Sequence, residues 1–134
     1  MTKILTIGLH PGAIDYSRHP GLDEATIAAR IEQGHAAVRA AGFDAVQCLV
    51  GADPDTAEKT VRERLSEGPF VVAMIGGGVR TASEHTLLFE RLINVLVATT
   101  PGIRFCFNTT PETTIDAIRR WIQPSPGEVT GDRD

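Results

Sequence analysis

The stretch "FVVAMIGGGVRTASEH" (70–85) runs from an apolar, β-branched segment through three glycines to an arginine and then into a helix start. A short apolar run that ends in glycine and feeds a helix-length segment marks a strand of a parallel sheet and its crossover helix. The same alternation occurs along the rest of the chain. Its strands read "KILTIGL" (3–9), "DAVQCLV" (44–50), "FVVAMIG" (70–76) and "IRFCFN" (103–108), each followed by a polar, Gly/Pro-rich loop and a helix. The 134 residues, 42% of them hydrophobic, suffice for one such domain and leave no room for a second.

Helix boundaries are predicted from capping chemistry. Asp23 is placed to accept from the first-turn amides of the first helix, with Leu22 and Ile27 at the spacing of a hydrophobic staple. Asp53-Pro54 and Thr110-Pro111 each set a capping oxygen before a proline, whose missing N–H is harmless at the first helical position. Thr81-Ala82-Ser83-Glu84 fits a capping box, and Gly42, Gly68 and Gly102 stand where three helices should end. The domain is expected over 1–123, with 124–134 a disordered tail because it carries Pro, Gly and charge without periodicity.

A central parallel strand is covered on both faces, so the most continuously apolar strands belong in the middle. Gln47 in the second strand, and Arg104 and Asn108 in the fourth, assign those two to the edges. The expected architecture is an α/β three-layer sandwich with a four-stranded parallel sheet in the flavodoxin-like order 2-1-3-4. Right-handed crossovers put the first and fourth helices on one face and the second and third on the other. Ligands of such sheets bind beyond the carboxyl ends of the strands where the winding reverses. Here that crevice lies between the loops 10–21 and 76–85.

Several function classes lack their requirements. A formal charge of −4 and scattered Lys/Arg leave no basic stripe for nucleic acid. No apolar run approaches the ~20 residues of a membrane span, and the first apolar run breaks at Gly8, unlike a secretory leader, so a cytoplasmic protein is expected. Cys48 and Cys106 each sit inside a strand, which predicts buried, reduced thiols. The first turn reads "GLHPGA", not a dinucleotide fingerprint, and "GGGVRT" supplies only a lone G-x-G. Walker and G-x-S-x-G motifs are absent, as are the acidic cluster of a phosphorelay receiver and the Ser/Thr-rich loop of a flavodoxin. His10, His19, His85 and Asp15 fall on the crevice loops but with unmatched spacing, so no metal site is assigned.

What remains are acid/base and anion-binding groups. Gly76, Gly77 and Gly78 can present backbone amides beside a helix start, with Arg80 as a charged fork for carboxylate or phosphate and Thr81 next to it. Across the crevice, His10 ends the first strand and is the expected proton carrier, with Asp15 or Tyr16 as a second polar group. Arg18 and His19 belong to a loop long enough to act as a lid, and Asn108 and Thr109 form a third wall. His35, on the Ile27–Ile31–Val38 side of the first helix, is assigned to packing or to its edge.

The combination of "IGLHPGAIDYS" and "HPGLD", "IGGGVRT" with "LLFERLINV", and "RFCFNTTPETT" leading to "IRRWI" resembles a group of short, uncharacterised bacterial Rossmann-like α/β proteins. The resemblance covers most of the chain except its tail. It implies a compact Rossmann-like sandwich and brings no activity or catalytic residue with it.

The expected function is binding of an anionic small molecule at the crevice by a cytosolic protein, with cofactor-free acid/base catalysis as its enzymatic form; no cofactor is assigned. The alternatives are a non-enzymatic regulatory or self-assembly module and a nucleotide-, NAD(P)- or flavin-binding protein. In "SEHTLLFERLINVLVATT" the residues Leu88, Leu92, Val95 and Leu96 can cover the sheet, while Leu87, Phe89, Ile93 and Val97 extend apolar surface around the helix. That excess predicts a homodimer through this helix, without nucleic-acid or membrane partners.

Overall fold

The structure, a computed structural model, describes residues 3–123. The expected disorder of 124–134 lies outside the described residues. Four parallel strands, β1 (Lys3–Leu9), β2 (Asp44–Val50), β3 (Val72–Ile75) and β4 (Arg104–Phe107), pair in the order β2-β1-β3-β4. β3 and β4 are shorter than their apolar runs: β3 begins only at Val72 and Gly76 after it caps a helix, while β4 begins at Arg104 and ends before Asn108, whose side chain turns inward.

Among the described residues, five α-helices surround the sheet: α1 (Glu24–Ala40), α2 (Pro54–Leu65), α3 (Gly77–Arg80), α4 (Thr86–Thr99) and α5 (Thr114–Arg119). Helices α1 and α5 pack together on one face, and α2 and α4 on the other, which makes the three-layer sandwich. Asp23 and Asp53 accept from the Thr26 and Thr56 amides at 2.8 and 2.9 Å, as their positions before α1 and α2 demand. Gly42 and Gly102 follow α1 and α4 at φ 99° and 88°, where a side chain would be strained.

Two boundary expectations are corrected. The 81–84 capping box does not form: the Thr81 hydroxyl donates back to the Gly77 carbonyl and ends α3, and Glu84 is drawn to Arg18 across the crevice. A separate 3-10 turn, Ser83–His85, then precedes α4. Gly68 does not close α2, which ends at Leu65 with Ser66 as its cap.

Side-chain alternation divides the core in two. Leu5, Ile7, Leu9, Cys48, Val50 and Ile75 pack under α2 and α4 with Leu88, Leu92 and Leu96. Ile4, Ala45, Val72 and Cys106 pack under α1 and α5 with Val38, Phe43 and Ile118. The two thiols therefore lie in separate cores, where burial pushes Cys48 up to about 11 and Cys106 up to about 12. On the α1 side the helix meets its neighbour at Gly34, where a Cβ would stand 2.4 Å from the Pro111 carbonyl oxygen. Glycine in mid-helix is otherwise unfavourable, and this contact supplies its reason. No helix among the described residues is long and apolar enough to cross a membrane.

Candidate functional site

Toward the carboxyl end of the sheet the α1 face changes character. Registered rows there run Ala45–Ile4–Val72, then Gln47–Thr6–Met74, then Leu49–Gly8, so side chains become polar or vanish as β1 rises. Helix α1 still passes overhead with Ile27, Ile31 and His35. The result is a cavity of about 530 Å³ between α1 and the upper half of the sheet, at the point where the winding reverses. Its apolar wall includes Ile14, Leu22, Ile27, Ile31, Leu49 and Met74.

Three loops close it. From the loop after β1, Asp15, Arg18 and His19 line it, and from the loop after β3, Gly76, Gly77, Gly78, Thr81, Glu84 and His85 do so. Asn108, Thr109 and Thr110 form the third wall. The first two loops are tied together, because Arg18 bridges Asp15 at 3.4 Å and Glu84 at 2.9 Å. Hydrogen bonds from the Ser17 amide and hydroxyl hold the Asp15 carboxyl below its usual range. On the α1 side Arg30 lines the cavity and grips Glu112 through two bonds of 2.7 and 2.8 Å. That fork holds the Glu112 carboxyl down to about 2.

The remaining expected site residues lie elsewhere. His10 is exposed beyond β1, and its Nδ1 accepts from the Gly12 amide at 2.9 Å, capping a short 3-10 turn. The Tyr16 hydroxyl donates to the Pro11 carbonyl at 2.7 Å. Neither residue is on the cavity wall. The Arg80 guanidinium is engaged behind the loop, with Nε donating to the Ile75 carbonyl at 2.9 Å, Nη2 to the Asn108 carbonyl, and its plane 5.0 Å from the Phe107 ring centre. Asn108 in turn accepts from the Gly77 amide at 3.2 Å and donates to the Thr114 hydroxyl at 2.9 Å. Arg80 and Asn108 thus fix the glycine loop from below, and none of Gly76, Gly77 and Gly78 has the positive φ that would demand glycine. A Cβ at Gly78 would instead press on Leu9 Cβ at 3.1 Å.

Sequence reasoning missed His35. It lines the cavity, yet its Nδ1 is buried without a hydrogen-bond partner among the described residues. Burial, with help from Arg39, lowers its pKa, so the ring is neutral near pH 7. The available signal was its place one turn after Ile31, between a glycine and small alanines, on the face that α1 turns toward Thr6 and Gly8. Among the described residues no group of three or more His, Cys, Asp and Glu is placed to hold a metal ion. Comparison of the chain with protein-family models, curated proteins and solved structures returns no match.

Proposed function

We propose that this protein binds a small molecule with an apolar body and a single negative charge in the cavity under α1. The observation that carries the reading is the hollow itself, about 530 Å³ where the other face of the same strands is filled. That volume lies within the ~300–1,000 Å³ of small-molecule sites, and its wall combines apolar side chains with several polar groups. Charge on the wall balances, Arg18 and Arg30 against Asp15 and Glu84, and Arg30 is further tied to Glu112, so the wall holds no excess positive charge for a phosphate dianion. Arg18 is the cation at the mouth that such a group would share with Glu84, aided by Thr81 and Thr109. Arg80 enters as a positioning residue through Asn108. A nucleotide or dinucleotide is less favoured, since the Gly76 and Gly77 amides it would seek are bonded to the Ile7 carbonyl and to Asn108. An enzymatic version would draw its acid and base from Asp15, His19, His35 and His85 on the wall instead of His10.

Gly8→Val tests the reading. Its Cβ meets only Leu49 Cδ2, at 3.5 Å, so the valine projects from the floor into the hollow on a strand backbone that accepts it. Titration of 15N-labelled protein with 3-phenylpropanoate should shift amides of residues 6–8, 31 and 74 in the wild type and not in Gly8→Val. Shifts confined to other surfaces, or unchanged by the substitution, would remove the cavity as the site.

Self-association is a second reading, supported by the surface of α4. Leu87 and Val97 are 68% and 51% exposed, and Phe107 on the β4 edge is 37% exposed. Phe89 meets Phe107 edge to face at 6.2 Å and, with Ile93, is partly packed into the core. Phe89, Ile93, Val97 and Phe107 make the self-complementary row of this reading, with Leu87 on the opposite flank of the helix. Light scattering at micromolar concentration should give the dimer mass, and a Val97→Glu monomer would assign it to this row. A wild-type monomer would end this reading and leave the cavity proposal intact.

A further inference from the structure

Resting on the cavity reading above, we infer that His85 holds the acid group of the bound molecule, donating a ring N–H to it from the cavity wall. The ligand class is then an apolar carboxylate whose charged end is taken by a buried histidine, with Arg18 as its exposed partner.

The placement follows from the start of α4. His85 stands one turn before Leu88, on the buried stripe that continues through Leu92 and Leu96, whereas its neighbour Glu84 faces outward and takes Arg18 at 2.9 Å. His85 is only 9% exposed, and it lines the cavity.

Among the described residues four polar side chains are buried, Thr6, His85, Asn108 and Thr114, and all four lie on the cavity wall. Three of them are provided for by the protein. Thr6 donates to the Val46 carbonyl at 3.5 Å, Thr114 donates to the Pro111 carbonyl at 2.8 Å, and Asn108 is used at both ends of its amide. The His85 ring has no hydrogen-bond partner among the described residues, and its nitrogens are not sealed, since the buried side-chain atom there that is both sealed and unpaired is Nδ1 of His35. An unpaired but reachable donor on a covered side chain is where a ligand atom gains most. Imidazole carries at least one N–H in either neutral tautomer and when charged, so the ring can donate to an anion in every state. Arg18 differs, being 63% exposed and already shared between Asp15 and Glu84, where water weakens an ion pair. His85 therefore sets the affinity for the acid group.

The test uses two probes of similar shape, 3-phenylpropanoate and propylbenzene, titrated into full-length protein labelled with 15N in its backbone and histidine rings. In the wild type both should shift amides around the cavity, but the propanoate alone should move the ring resonances of His85 strongly. His85→Phe, which keeps a ring, should weaken propanoate binding ~10-fold or more and leave that of propylbenzene unchanged; His85→Gln, whose amide still donates, should keep part of the affinity. Cavity amides shifted by the propanoate with the His85 resonances unmoved, or equal losses for both probes in His85→Phe, would overturn the inference and leave the cavity reading standing, with His85 a packing residue. Cavity shifts with propylbenzene alone would overturn the inference together with the charge assigned to the ligand. No cavity shift with either probe would overturn both readings. Should His85→Phe not fold, the His85 resonances of the wild type with each probe still decide.

Discussion

On the α2–α4 face, β1 offers Leu5, Ile7 and Leu9, and the neighbouring strands meet them with Cys48, Val50 and Ile75 up to the carboxyl end. On the α1–α5 face the same strand offers Ile4, Thr6 and Gly8, beside Gln47 and Met74. The backbone ladder is shared, so the two faces differ only in what was placed on alternate positions. The hollow is thus made by pruning side chains from regular strands and not by irregular backbone. Its floor is consequently as rigid as the sheet, a good support for a binding site.

The comparison is broken most directly by truncation to alanine at adjacent residues. Ile7 is fully buried on the filled face, and Ile7→Ala should cost ~3–4 kcal/mol. Thr6→Ala, one residue away on the hollow face, should cost no more than ~1 kcal/mol, since the side chain borders the cavity and its hydroxyl bond is long. Urea denaturation of the pair measures the asymmetry, and equal losses would mean that the α1 face is packed as tightly as the other.

Gly34→Ala is expected to have the next largest effect. Alanine favours a helix interior by ~1 kcal/mol. Here its methyl would collide with the Pro111 carbonyl, at a cost of ~2–3 kcal/mol, for a net loss of ~1–2 kcal/mol. A gain in melting temperature would show that α1 can move off the 110–111 wall without penalty.

The smallest effect concerns the Arg30–Glu112 tie on the same side. The Glu112 carboxyl is held at about 2, down from the ordinary 4.5, so its stabilisation is present above about pH 4.5 and is lost as pH falls through the folded value. Glu112→Gln should therefore melt slightly below wild type at neutral pH, and the gap should close as the pH is lowered toward 2. A gap that persists in acid would assign the effect of the substitution to something other than this charge.

Much of the fold was legible because it depends on short-range pattern. Gln47 and Arg104 marked edge strands, Asp23 and Asp53 marked helix starts, and these placed the crevice between β1 and β3. Long side chains were not legible, since sequence does not fix their direction. Arg80 could face a ligand or its own loop, and the carbonyls of Ile75 and Asn108 took it. Glu84 had a local use in a capping box and a distant one with Arg18, and the distant one prevailed. His35 looked like core because it follows the helical stripe of Ile27 and Ile31. Only the pairing of that stripe with Thr6 and Gly8 on the opposing strand reveals that this part of the core is hollow.

The close seat of Gly34 on Pro111 has a consequence for amide exchange. Near and after that seat α1 is held, by the contact itself and by Val38 in the core; before it, the first turns lie over the cavity. Protection against deuterium should therefore be graded along a single helix, weak near Ile27 and Ile31 and strong near Val38, while α4 on the filled face is protected more evenly along its length. A molecule seated in the hollow would supply the missing contacts, slow exchange in the early turns of α1 and leave α4 unchanged, so occupancy could be followed without knowing what the molecule is.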